Sequence, residues 1–129
     1  LSPLFVITEK ELVLIFDDNL LFSSAISGQL EKRGIENRVI TAPLLQGLNS
    51  ISGRPALAVL NLNAQSFDSL KLIGELKERA PMRILGFCGH GQTLLMQQAK
   101  EAGCAWVIPN SVAAKRIVHF LKQQDLHLP

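Results

Sequence analysis

The chain has no excess of charge of either sign: 13 Lys and Arg stand against 11 Asp and Glu, for a formal net charge of +2. Nucleic-acid binding usually leaves a basic stripe, and this sequence has none. Cysteine is scarce as well. Cys88 and Cys104 are the only two, too few for a disulfide framework and without the spacing of zinc ligands. They fit a reducing compartment. No apolar run approaches the length that spans a bilayer. Leu4-Phe5-Val6-Ile7 is too short for a signal sequence and lacks a charged region before it. Internal repeats, long linkers and an attached helix-turn-helix are also missing. The expectation is a cytoplasmic protein with neither nucleic acid nor membrane as partner.

What is present reads as one domain over 1–129, with its core in 11–122. A length of 129 residues allows one sizeable core, and 47% hydrophobic content argues against disorder. Five short apolar runs alternate with five helical patterns. Strands are expected over 12–16, 38–40, 56–60, 83–87 and 105–108. The run 56–60 is continuously apolar, as in strands covered on both faces. Asn19 is placed to cap the first helix and Gly34 to end it, with Phe22, Ile26 and Leu30 on one buried stripe. A weak second helix is expected after Ala42-Pro43. The third begins near Ser66 and buries Phe67, Leu70, Ile73 and Leu76. The fourth covers 92–102 and stops at Gly103. Ser111 is placed to cap the fifth, which carries Ile117, Val118, Phe120 and Leu121, and 123–129 reads as a fraying end. This alternation implies a parallel sheet with helices on both faces.

In open α/β sheets ligands sit beyond the carboxyl ends of the strands. The residues there are Asp17 and Asp18 after the first strand, Asn61 at the end of the third, Cys88-Gly89-His90-Gly91 after the fourth and Pro109-Asn110-Ser111 after the fifth. Adjacent carboxylates raise one another's pKa. A pair at the end of a buried strand therefore suggests a divalent cation site built from hard oxygen ligands. The competing reading is a solvated acidic loop.

These segments resemble the receiver domain of two-component response regulators. Asp17-Asp18 stands where receivers keep their acidic, magnesium-binding pair. The run from Pro55 to Asn63 is similar to the strand whose end bears the phosphate-accepting Asp. Ile84 to Gly91 is similar to the strand that ends in Ser or Thr, and Ala102 to Ser111 to the segment that ends in Lys. The resemblance covers 11 to about 122. It implies a flavodoxin-like, doubly wound (βα)5 sheet in three layers with strand order 2-1-3-4-5.

At the chemical positions the sequence departs from the family. Asn61 replaces the acceptor Asp, and an amide cannot form the acyl phosphate that a carboxylate forms. Cys88 replaces the hydroxyl residue, and a thiol is the weaker donor. Asn110 replaces the Lys, removing a charged phosphate contact. Val107 stands where receivers carry an aromatic switch residue. Asn63 is also an amide, and Asp68 is expected in the first turn of the third helix, so no shift of register restores an acceptor. Asp17, Asp18, Asn61, Cys88 and Asn110 thus form a degenerate acceptor pocket. Asp17 and Asp18 remain only weak magnesium ligands, with no other cofactor expected.

The function expected is a pseudo-receiver: a signalling module that is not an enzyme and acts on other proteins without phosphorylation. A homodimer through helix four, strand five and helix five is one form of this, with Trp106, Val107, Lys115 and Arg116 as the candidate face. Two alternatives stay open. One is a cysteine-dependent enzyme or redox sensor in which His90 lowers the Cys88 pKa. The other is a small-ligand site near Asp17, Asn61 and Asn110.

Overall fold

A computed structural model describes residues 11–42, 54–79 and 81–126. The expected second helix falls largely within 43–53 and so lies outside the described residues. In chain order the elements are β1 (Glu11–Phe16), α1 (Leu20–Glu31), β2 (Glu36–Ile40), β3 (Arg54–Asn61), α2 (Ser69–Arg79), β4 (Arg83–Cys88), α3 (Thr93–Ala102), β5 (Trp106–Pro109) and α4 (Asn110–Leu126). The helices expected as third, fourth and fifth are therefore α2, α3 and α4. All strand pairings are parallel, and the order across the sheet is β2-β1-β3-β4-β5. This is the doubly wound order expected.

Period-two alternation divides the core into two layers. Leu12, Leu14 and Phe16 of β1, Ala58 and Leu60 of β3, and Ile84 and Cys88 of β4 face one side, where Leu72, Ile73 and Leu76 of α2 and Ala99 of α3 cover them. Val13, Ile15, Leu57, Val59, Leu85 and Phe87 face the other, against Ile26 and Leu30 of α1 and Ala113, Ile117, Phe120 and Leu121 of α4. The three central strands are thus apolar on both faces, as parallel sheets require. Gly86 leaves β4 without a side chain where Leu62 and Cys104 close in. A Cβ there would lie 3.0 Å from a Leu62 methyl and 3.2 Å from the Cys104 sulfur.

Several boundaries differ from the sequence reading, each for a local reason. The α1 helix stops at Glu31, and Gly34, at φ +70°, makes the turn three residues later. The α2 helix starts at Ser69 rather than Ser66. Leu72 therefore takes the fully buried place expected for Leu70, and Phe67 packs from the preceding loop. Asp68 stands just outside that helix, and its Oδ1 accepts from the Lys71 N–H at 3.2 Å, which is an N-cap contact. Because β5 runs straight into α4 at Asn110, Ser111 is inside the helix and does not cap it. The last helix also continues to Leu126, where a fraying end was expected from 123. Among the described residues no helix is long and apolar enough to cross a membrane.

Candidate functional site

The parallel sheet brings the ends of β1, β3 and β5 together at its carboxyl edge. A cavity of about 500 Å³ opens there, with Asp18, Asn19, Asn61, Asn63, Gln65 and Asn110 as its polar lining. Leu20 and Phe22 supply an apolar wall.

The two acids point to different environments. Asp17 continues the β1 pairing through its N–H, which donates to the Ile40 carbonyl at 3.2 Å, and its side chain is fully buried. Its Oδ1 accepts from the Asn19 N–H at 2.9 Å and from Asn61 Nδ2 at 2.8 Å. Its Oδ2 is buried without a hydrogen-bond partner. Burial pushes the Asp17 carboxyl above its ordinary value; the two hydrogen bonds pull against this and the neighbouring Asp18 adds to it. Asp18 is exposed, and its Oδ2 accepts from the N–H groups of Gln65 and Ser66, both at 2.8 Å. The Ser66 N–H is the main reason that its pKa falls below the ordinary value. Asp18 is therefore the dependable negative charge of the site, and Asp17 the strained one.

Asn61 is engaged at both ends of its amide. Its Nδ2 donates to Asp17, and its Oδ1 accepts from the Asn63 N–H at 2.8 Å. The Ser69 hydroxyl holds its backbone carbonyl at 2.9 Å. Each contact suits an amide. A carboxylate in the same place would set two acceptors against each other at 2.8 Å, tolerable only with a shared proton or a cation. Asn110 begins α4 beside the cavity, and its Oδ1 is also buried without a partner.

Magnesium ligation does not suit this donor set. The cation needs near-octahedral oxygen ligands. Asn61 instead presents an N–H to Asp17 and spends its oxygen on Asn63. Among the described residues no group of three or more His, Cys, Asp or Glu is arranged to hold a metal.

Cys88 is not part of the cavity lining. It is fully buried in the α2–α3 layer of the core, and burial raises its thiol pKa. Cys104 is buried in the same layer and pushed up to about 12. His90 is exposed on the loop that follows β4. A buried thiol with a raised pKa beside an exposed imidazole is the reverse of an activated nucleophile.

That loop contains a contact that sequence reasoning missed. Asn63 Nδ2 donates to Gln92 Oε1 at 2.7 Å, and Gln92 Nε2 donates back to Asn63 Oδ1 at 3.0 Å. Gln92 Oε1 also accepts from the Gly89 N–H at 2.7 Å. The Gly89-His90-Gly91 segment is therefore a turn clasped to the loop after β3. The sequence signal was only two amides, each soon after a strand.

The candidate interaction face lies elsewhere. Trp106 is half-buried, with its ring 5.2 Å from that of Phe120 in a tilted contact. The Arg83 guanidinium lies over the Trp106 ring at 5.7 Å, and that of Arg116 over Phe120 at 5.5 Å. Lys115 and Arg116 are exposed. Val107 packs on the opposite core layer, so it does not share a sheet face with Trp106.

No family model matches the chain, and no curated protein matches it. Solved structures do. A beryllofluoride-activated NtrC4 receiver domain dimer matches with a TM-score of 0.74 at 22% identity, covering 88% of this chain and 94% of that one. The receiver domain of NtrX from Brucella abortus matches with a TM-score of 0.76 at 23% identity, covering 90% and 99%. A two-component response regulator from Clostridium difficile matches with a TM-score of 0.79 at 13% identity, covering 92% and 98%. The chain therefore has the fold of response regulator receiver domains.

Proposed function

We propose that the chain is a signalling module that works by protein–protein interaction, without phosphorylation and without catalysis of its own. The observation that carries this is the commitment of Asn61: both ends of its amide are bonded within the fold, and neither is a nucleophile. Asn110 adds to it, because no ammonium group stands at that position to meet phosphate. The Asn63–Gln92 clasp fits a module held in one state. A partner would then shift its surface only through differential affinity for two conformations.

In this reading the protein is cytoplasmic and the domain is a single unit. It docks through the face formed by α3, β5 and α4, where Trp106, Lys115 and Arg116 present an aromatic and cationic surface. Self-association is one version of that docking; the NtrC4 neighbour is a dimer of a receiver domain. Incubation with acetyl phosphate and magnesium, followed by intact mass measurement, tests the central point. The mass should not change. A stable phosphoryl adduct on a carboxylate would overturn the proposal.

A further inference from the structure

We propose that the cavity at the carboxyl edge of the sheet binds an organic cation, a primary ammonium or guanidinium on a short alkyl stem. Among the described residues, the buried side-chain polar atoms left without a partner are both oxygens at this edge. The N–H groups of Asn19, Asn63 and Gln65 are spent on Asp17, Asn61 and Asp18. Asn61 and Asn63 each donate one side-chain N–H, to Asp17 and Gln92. Two acceptors are buried without a donor: Asn110 Oδ1, on a residue that lines the cavity, and Oδ2 of Asp17, the neighbour of the lining residue Asp18. An unpaired buried acceptor costs about 1–3 kcal/mol, which a donating ligand relieves.

The charge points the same way. Among the described residues no Lys, Arg or His lines the cavity, and Asp18 contributes a carboxylate held in its ionised form by two backbone N–H groups. A phosphate would bring only acceptors and negative charge to this wall. An ammonium brings three donors and no acceptor, and a guanidinium brings five donors. The volume also fits: about 500 Å³ far exceeds one metal ion and lies within the usual range of small-molecule sites. Leu20 and Phe22 provide the apolar wall that an alkyl stem needs. Leu20 and Leu21 are 78% and 82% exposed beside it, so the same head group could arrive free or on a side chain of a protein.

The inference rests on the cavity's not being a phosphoryl site, yet the two readings fail separately. A phosphoryl adduct sinks the first, and absent cation binding sinks the second. The test is titration of the 15N-labelled chain, followed by amide and side-chain resonances, with butylguanidine and with its neutral isostere butylurea. Butylguanidine should give saturable shifts at Asn19, Asn61 and Asn110, and butylurea should not. Asp18→Asn should weaken binding by about tenfold or more. Asn110→Lys should abolish it by placing a tethered ammonium in the cavity. The dispersion of each variant's spectrum reports that it is folded. A blocked peptide with one Arg between leucines separates the sources. Binding about tenfold tighter than butylguanidine assigns the site to a partner's side chain, and equal binding assigns it to a free ligand. Equal binding of butylurea, no saturable response to either cation, or undiminished binding by Asp18→Asn would overturn the proposal. So would magnesium chloride shifting these resonances while the organic cations do not.

Discussion

The interior of the sheet and its carboxyl edge are built from the same strands but meet different standards. Inside, β1, β3 and β4 alternate apolar side chains between two helix layers. At the edge, one residue beyond those side chains, two buried oxygens have no partner and a fully buried carboxylate is held by an amide. The contrast shows what each region is for. The interior makes the fold and needs nothing from the edge. The edge can therefore change its chemistry, from carboxylate to amide or from lysine to asparagine, while the sheet stays in register. It also means that likeness of fold carries no information about the chemistry of the pocket.

The largest effect should come from breaking the interior. Phe16 is fully buried one residue before Asp17. Phe16→Ala removes an aromatic ring from the α2–α3 layer and leaves a cavity. The expected loss is about 3–5 kcal/mol by urea unfolding. A loss under about 1 kcal/mol would mean that the layer collapses around the gap, and that interior and edge are less distinct than the packing implies.

A second change tests the edge directly. Asn61→Asp replaces an N–H donor by a carboxylate facing Asp17 Oδ1, a contact of 2.8 Å in the native chain. At neutral pH without divalent cation the variant should lose about 2 kcal/mol, the usual worth of a hydrogen bond to a charged group. Millimolar magnesium should return part of that loss, since three carboxylates then converge and only ligand-bound folded protein gains. The native chain should show no such dependence. Thermal unfolding of both proteins with and without magnesium reads this. Equal magnesium response in both would sink the idea that Asn61 disables the cation site.

These regions also differ in how much the sequence discloses. Interior positions announce themselves by period. The alternation from Leu12 to Phe16 and the spacing of Phe22, Ile26 and Leu30 are local, and they led to the sheet and the right helix face. Leu72 was passed over for Leu70 because phase depends on where a helix starts, and the helix after β3 starts three residues later than expected. Cys88 was legible and misread. Counting by twos from Ile84 places it in the core with its neighbours and away from the pocket. The edge follows no period. Gln92 reaching Asn63, or Asn110 Oδ1 lacking a donor, depends on loop paths that join residues far apart in the chain. Residue types mark these positions as candidates, but only geometry says which hydrogen bonds are made and which are missing.

The smallest expected effect separates the two adjacent acids by the sign of their pH dependence. Burial raises the folded-state pKa of Asp17 above its ordinary 3.8. Between 3.8 and the raised value the folded protein holds more protons than the unfolded chain. Stability contributed at Asp17 therefore falls as pH rises through that window, and the penalty is complete above it. Asp18 behaves oppositely. Its lowered pKa favours the folded state above the unfolded value, and that gain is lost as pH falls through the folded value. Asp17→Asn keeps an oxygen for the Asn19 and Asn61 N–H groups and removes the buried charge. At pH 7 it should stabilise the chain by about 1 kcal/mol, an effect near the lower limit of what relieving a poorly solvated polar group gives. The gain should shrink as pH falls and vanish below 3.8, where Asp17 is protonated in both states. Urea unfolding from pH 3 to 8 in magnesium-free buffer measures it. A destabilised variant at pH 7 would mean that the Asp17 charge is already compensated in the folded chain, and the open acceptor at the edge would lose its physical basis.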